Sequence, residues 1–136
     1  MLLMTFTLNK AKFGLLLEEV EYIVDNVSNI EASMTGKYIR GTAILRDEVV
    51  PIYNLRSRFE FCGKTQGEMV IVVSHEGQKL GLEVGHIDKM VYIENVTPIE
   101  IPLILQKERL CIKCAVSYED EIILVIDVKK IVTEIL

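Results

Sequence analysis

One half of this chain repeats the other. Lys12-Phe13-Gly14-Leu15-Leu16-Leu17 is echoed by Lys79-Leu80-Gly81-Leu82-Glu83-Val84 at an offset of 67, and Val20 and Ile23 then map onto Ile87 and Met90. Farther along, Ile39-Arg40-Gly41-Thr42-Ala43 is echoed by Ile112-Lys113-Cys114-Ala115-Val116, and Asp47-Glu48-Val49-Val50 by Asp120-Glu121-Ile122-Ile123, both at an offset of 73. Asn54-Leu55-Arg56 then matches Asp127-Val128-Lys129. Preserved order with a single six-residue shift is the mark of an internal duplication. Whatever one half folds into, the other must fold into as well.

The repeated unit is a β unit. Val and Ile total 32 residues and Ala only 4; branched side chains suit a pleated sheet and lose rotamer freedom in a helix. Short apolar runs between turn signals predict strands near 3–9, 13–17, 20–25, 38–45, 48–53, 69–75, 79–84, 87–93, 110–117 and 121–127. Hairpin turns are readable at Glu76-Gly77 and at Tyr118-Glu119-Asp120. Asp127 is the expected N-cap of a last helix, in which Val128, Ile131, Val132 and Ile135 form one apolar stripe able to close a barrel end. A shorter helix is expected after Asn54, with Leu55 and Phe59 one turn apart. The fold expected is therefore mostly β: two five-stranded barrels related by duplication, each small alone and sharing a core with the other. Residues 1–136 are read as a single domain of intertwined subdomains. The first barrel is placed mainly in 12–60, the second mainly in 69–128, and the boundary loop near 61–68. Phe13, Leu15, Val20, Ile39, Val50, Ile52, Leu82, Val84, Ile123 and Val125 are expected in the core.

Several function classes are disfavoured. The longest apolar runs, Met69 to Val73 and Ile122 to Ile126, are five residues each, against roughly twenty for a membrane-spanning helix. The apolar start lacks the basic residues and cleavage site of a signal peptide, so a cytoplasmic protein is expected. A net charge of -5, with basic residues scattered, argues against a nucleic-acid binder. Three cysteines cannot all pair. Cys111 and Cys114 have C-x-x-C spacing but fall within a predicted strand, without a second pair to complete a zinc site, so they read as structural thiols. Neither His75 nor His86 has a nucleophile motif beside it, and Gly63-Lys64-Thr65 lacks the first glycine of a phosphate loop. No catalytic residue, metal ligand or cofactor site is assigned.

The run from Tyr38 to Phe59 carries the remaining information: Ile39-Arg40-Gly41, then Ile44-Leu45-Arg46-Asp47, Val50-Pro51-Ile52 and Asn54-Leu55-Arg56. It resembles the signature of the CheW-like domain family, in which R/K-G is followed by N-L-R-G, V-P-I and D-L-R. The likeness extends to Phe13-Gly14-Leu15-Leu16-Leu17-Glu18-Glu19-Val20, to Gly81-Leu82-Glu83-Val84 and to residues 123–129, and so covers nearly the whole chain. The resemblance implies two SH3-like barrels side by side. It implies a non-catalytic adaptor that couples the cytoplasmic tips of chemoreceptors to the regulatory domain of the histidine kinase CheA, at membrane receptor arrays without entering the bilayer. Helix-in-groove and sheet contacts of that kind need exposed aliphatic residues.

Carried over by position, Val20 and Gly41 match receptor-facing sites and Arg46 matches the arginine of N-L-R-G. In the family that arginine pairs with a glutamate two residues after the valine, where this chain has Tyr22. Arg46 is then expected to pair with Glu21 or a loop acid, or to stack on Tyr22. The signature's asparagine and final glycine are Ile44 and Asp47, and second-barrel positions commonly glycine and aspartate are Cys114 and Gly85. The candidate partner-binding residues are thus Val20, Tyr22, Gly41, Ile44, Arg46 and Asp47. The alternative reading is a divergent CheW-like module serving another signalling kinase or regulator outside chemotaxis.

Overall fold

The computed structural model describes residues 1–8, 10–25, 30–32, 38–55, 69–94, 96, 99 and 111–135. Strands β1 (Leu2–Leu8), β2 (Ala11–Leu16), β9 (Ile87–Tyr92), β10 (Ile112–Tyr118) and β11 (Glu121–Ile126) form one sheet, in the order β10-β11-β2-β1-β9. Strands β3 (Val20–Val24), β4 (Glu31–Ala32), β5 (Ile39–Leu45), β6 (Glu48–Asn54), β7 (Met69–His75) and β8 (Gln78–Val84) form the other, in the order β3-β7-β8-β6-β5-β4. Leu17–Glu19 is a 3-10 turn leading from β2 into β3, and one helix, α1 (Val128–Ile135), ends the described chain.

The ten long strands fall where alternation and turn residues predict them. Asp127 caps α1 by accepting a hydrogen bond from the Lys130 N–H at 3.1 Å, and Val128, Ile131 and Val132 are buried. The helix expected after Asn54 begins at Leu55, which is helical and buried; 56–60 lie outside the described residues.

Sheet membership crosses the boundary loop expected near 61–68. Hairpin β7–β8 joins β3–β6, while hairpin β1–β2 joins β9–β11. Neither sheet is therefore made from 12–60 or 69–128 alone: each half of the chain lends its first hairpin to the other half's barrel. Two parallel seams hold the exchange, β11 with β2 and β6 with β8. The seams obey the repeat: Val125 lies opposite Gly14 in one and Ile52 opposite Gly81 in the other. At both glycines a Cβ would meet packed side chains, Ile123 at 3.0 Å beside Gly14, and Val70 at 2.8 Å and Ile52 at 2.9 Å beside Gly81. An ion pair staples each seam, Lys12 to Glu121 at 2.6 Å and Lys79 to Glu48 at 2.8 Å. Even the bulges repeat, at Glu21 in β3 and Asp88 in β9, and at Arg40 in β5 and Lys113 in β10.

Among the described residues, three apolar clusters result. Leu3, Val91, Val116, Ile123 and Val125 fill one barrel. Tyr22, Ala43, Leu45, Val50, Ile52, Val70 and Val72 fill the other. Between the sheets, Phe6, Phe13 and Leu15 meet Ile71, Leu80 and Leu82, with Val128, Ile131 and Val132 of α1 packed into the same cluster. Each fully buried aliphatic side chain contributes roughly 1.5–3 kcal/mol. The expected core residues are buried except Val20, which is half-buried against the central cluster.

Candidate partner-binding site

The bulge in β3 sets the site's geometry. Val20 pairs with Val73 and Tyr22 with Val72, so Glu21 is the extra residue. Tyr22 turns into its barrel, 9% exposed, and its hydroxyl donates to the Leu45 carbonyl at 3.4 Å. Glu21 points elsewhere and accepts a hydrogen bond from the Ser74 hydroxyl at 2.5 Å. Arg46 and Asp47 are the two central residues of the β5–β6 turn, both left-handed, with φ of 48° and 64°. From there the Arg46 guanidinium lies 4.0 Å from the centroid of the Tyr22 ring. Of the three partners expected for Arg46, the cation–π stack on Tyr22 is the one formed among the described residues.

The remaining candidates sit nearby on β5. Gly41 is buried, and a Cβ there would meet the Glu31 carbonyl oxygen at 2.1 Å, so only glycine lets β4 pair at this register. Ile44 faces away from the barrel interior and is 74% exposed; its cross-strand partner Val49 is 69% exposed. The two form an apolar pair in solvent beside the Arg46–Asp47 turn. Val20 stands apart, at the start of β3 against the central core. The structure thus brings Tyr22, Arg46 and Asp47 together, places Gly41 and Ile44 on the adjoining strand, and leaves Val20 at the far side of the bulge.

The second barrel repeats the arrangement with different chemistry. Lys89 and Glu119 stand where the duplication puts the counterparts of Tyr22 and Arg46, and their charged groups are 3.9 Å apart. Lys89 also lies 5.5 Å from the Tyr118 ring centroid. The same two positions are coupled in both barrels, by a cation and a ring in one and by an ion pair in the other.

One pair escaped sequence reading. Glu83 on β8 is 2% exposed, the one charged side chain buried among the described residues, and its Oε2 accepts a hydrogen bond from Arg40 Nη1. Its signal lay in the repeat, where Glu83 is the charged echo of Leu16.

Other chemistry is sparse. Cys111 is buried and Cys114 half-buried, and burial pushes the Cys114 thiol up, opposite to an activated nucleophile. Cys62 lies outside the described residues. Among the described residues no three metal-ligating side chains cluster, and no helix is long and apolar enough to cross a membrane. A cleft of about 750 Å³ is lined by Met1, Leu2, Leu16, Leu17 and Glu18.

Comparison with known proteins adds three findings. A family model described as the CheW-like domain matches residues 2–136. Among solved structures, the scaffolding protein TtCheW from Thermoanaerobacter tengcongensis superposes with a TM-score of 0.80 at 23% identity, over 93% of this chain and 84% of that one. A search of curated proteins found no match.

Proposed function

Because the chain belongs to the CheW-like domain family, we propose that it is a non-catalytic adaptor that couples chemoreceptors to the histidine kinase CheA in the cytoplasm. The observation that carries this reading is the family match across residues 2–136, spanning both halves of the duplication. In this reading Tyr22, Gly41, Ile44, Arg46 and Asp47 form one partner-binding surface, and Val20 faces the receptor from the other side of the β3 bulge. The Ile44–Val49 pair supports it, since adjacent exposed aliphatics on a rigid hairpin suit docking better than solvation. Contacts of this class bury roughly 800 Å² per partner or less and are commonly micromolar.

The stack of Arg46 on Tyr22 favours a second reading, a CheW-like module for a different signalling kinase or regulator, because the family's arginine–glutamate bridge is replaced. Calorimetric titration with the CheA regulatory domain from the same source decides between them. Saturable micromolar binding, weakened by Arg46→Asp or Ile44→Asp, is expected. A folded chain that shows no binding at about ten times that concentration sinks the CheA reading.

A further inference from the structure

The Arg40–Glu83 pair is hard to explain as scaffolding. Burying a carboxylate is costly, and an ion pair of this kind is often no more stabilising than apolar residues of similar volume. Glu83 is 2% exposed, and its Oε1 has no hydrogen-bond partner among the described residues. Leaving such an oxygen unsatisfied carries the full desolvation penalty of the group.

The molecule contains its own control. The duplication maps Glu83 onto Leu16 and Arg40 onto Lys113, at the same places in the sister barrel. The bulges recur and each seam sets its glycine opposite the same counterpart, Ile52 or Val125, so the sister barrel closes with a half-buried leucine at this position and no carboxylate. The buried carboxylate is thus particular to one barrel, and not a requirement of the repeated fold.

Arg40 is the extra residue of the β5 bulge, and its side chain is 53% exposed. One arm of the guanidinium is tied to a buried carboxylate, which holds the group in place, while others of its five N–H donors remain for an outside acceptor. A planar fork of this kind matches a carboxylate. The chain's net charge of -5 repels polyanions, which favours a single acidic side chain over a nucleic acid or an anionic membrane.

We propose that Arg40, oriented by the buried Glu83, is a prepared cationic contact that receives an acidic side chain from a protein partner. Its place beside Gly41, on the strand that carries Ile44, makes it part of the same docking region. The inference rests on the adaptor reading in supposing that the partner is a protein. Glu83 acts through Arg40 and is a positioning residue.

The test titrates wild type, Arg40→Lys, Glu83→Leu and the double variant Arg40→Gln/Glu83→Leu against the CheA regulatory domain and a chemoreceptor tip fragment from the same source, with urea stability measured for each. Glu83→Leu copies the sister barrel and should keep the urea midpoint while weakening one partner about threefold or more. The double variant should weaken that partner about tenfold and flatten the salt dependence of binding. Arg40→Lys, which keeps Glu83 paired but loses the fork, should also bind more weakly. The inference is overturned if all three variants bind both partners within about twofold of wild type, or if Glu83→Leu loses stability at unchanged affinity. Failure of wild type to bind either partner defeats the adaptor reading itself, and this inference with it.

Discussion

Asp47 and Asp120 both sit second in two-residue hairpin turns with left-handed backbones, at φ of 64° and 63°. The β7–β8 turn places Gly77 at the corresponding position, φ 80°, where no Cβ opposes the conformation. Asp120→Gly should therefore raise stability by about 0.5 kcal/mol, part of the relief being offset by the freer unfolded chain. A lower urea midpoint would count against that account of the turn. Glu19 is a second residue with a definite direction: burial is the largest influence and pushes its carboxyl above 4.5, partly opposed by Lys113. A raised carboxyl pKa means that folding is penalised once pH climbs past the unfolded value. Glu19→Gln should then stabilise at neutral pH, with the gain fading as pH falls from the raised folded value toward the unfolded one and absent below about 4, where the unfolded chain is also protonated. An equal gain at pH 3 would reject burial of the charge as the cause. The sequence showed that Arg46 had lost the family's glutamate but not which group replaced it. That choice depends on the bulge between Val20 and Tyr22, which turns Glu21 toward Ser74, and an extra residue in a ladder leaves no mark on hydrophobic periodicity.

Among the elements, long strands were legible because alternation over several residues is a strong signal; β4, two residues long, and the 3-10 turn at Leu17–Glu19 are too short to have a period. What fixes β4 is Gly41, read from sequence as a partner-facing residue. Its missing Cβ makes room for the Glu31 carbonyl, which is backbone and cannot swing aside. Gly41→Ala should detach β4 while leaving the β5–β6 ladder paired. Amide exchange at 30–32 should quicken markedly, with global stability changing far less than in a core variant, because β4 is a short edge strand. Unchanged exchange there would show that the strand adapts to a methyl group. The result also separates two roles for Gly41: if partner binding falls together with β4 protection, the glycine acts by placing that strand.

For the whole molecule, the duplication and intertwined halves were read from sequence, but not which hairpins change places. An offset of 67 or 73 says which segments are alike, but a hairpin that resembles its counterpart can pair with either half equally well on pattern alone. The choice is made where the chain runs from β2 through one 3-10 turn into β3, carrying it from one sheet to the other. Each barrel is then built from both halves, around a central cluster fed by both sheets and α1. Neither barrel can unfold without stripping a hairpin from residues that also build its neighbour, so unfolding should be a single transition. Ile52 and Val125 probe this, being counterparts in the repeat, fully buried, and opposite Gly81 and Gly14 at the two seams. Aspartate at either position buries an unpaired charge and should cost more than roughly 3 kcal/mol. Because the barrels are interlocked, Ile52→Asp should lower amide protection in β11 as well as in β6, and Val125→Asp should do the reverse. Two resolved transitions, or protection lost only in the barrel that carries the substitution, would mean that the exchanged hairpins do not couple the two halves.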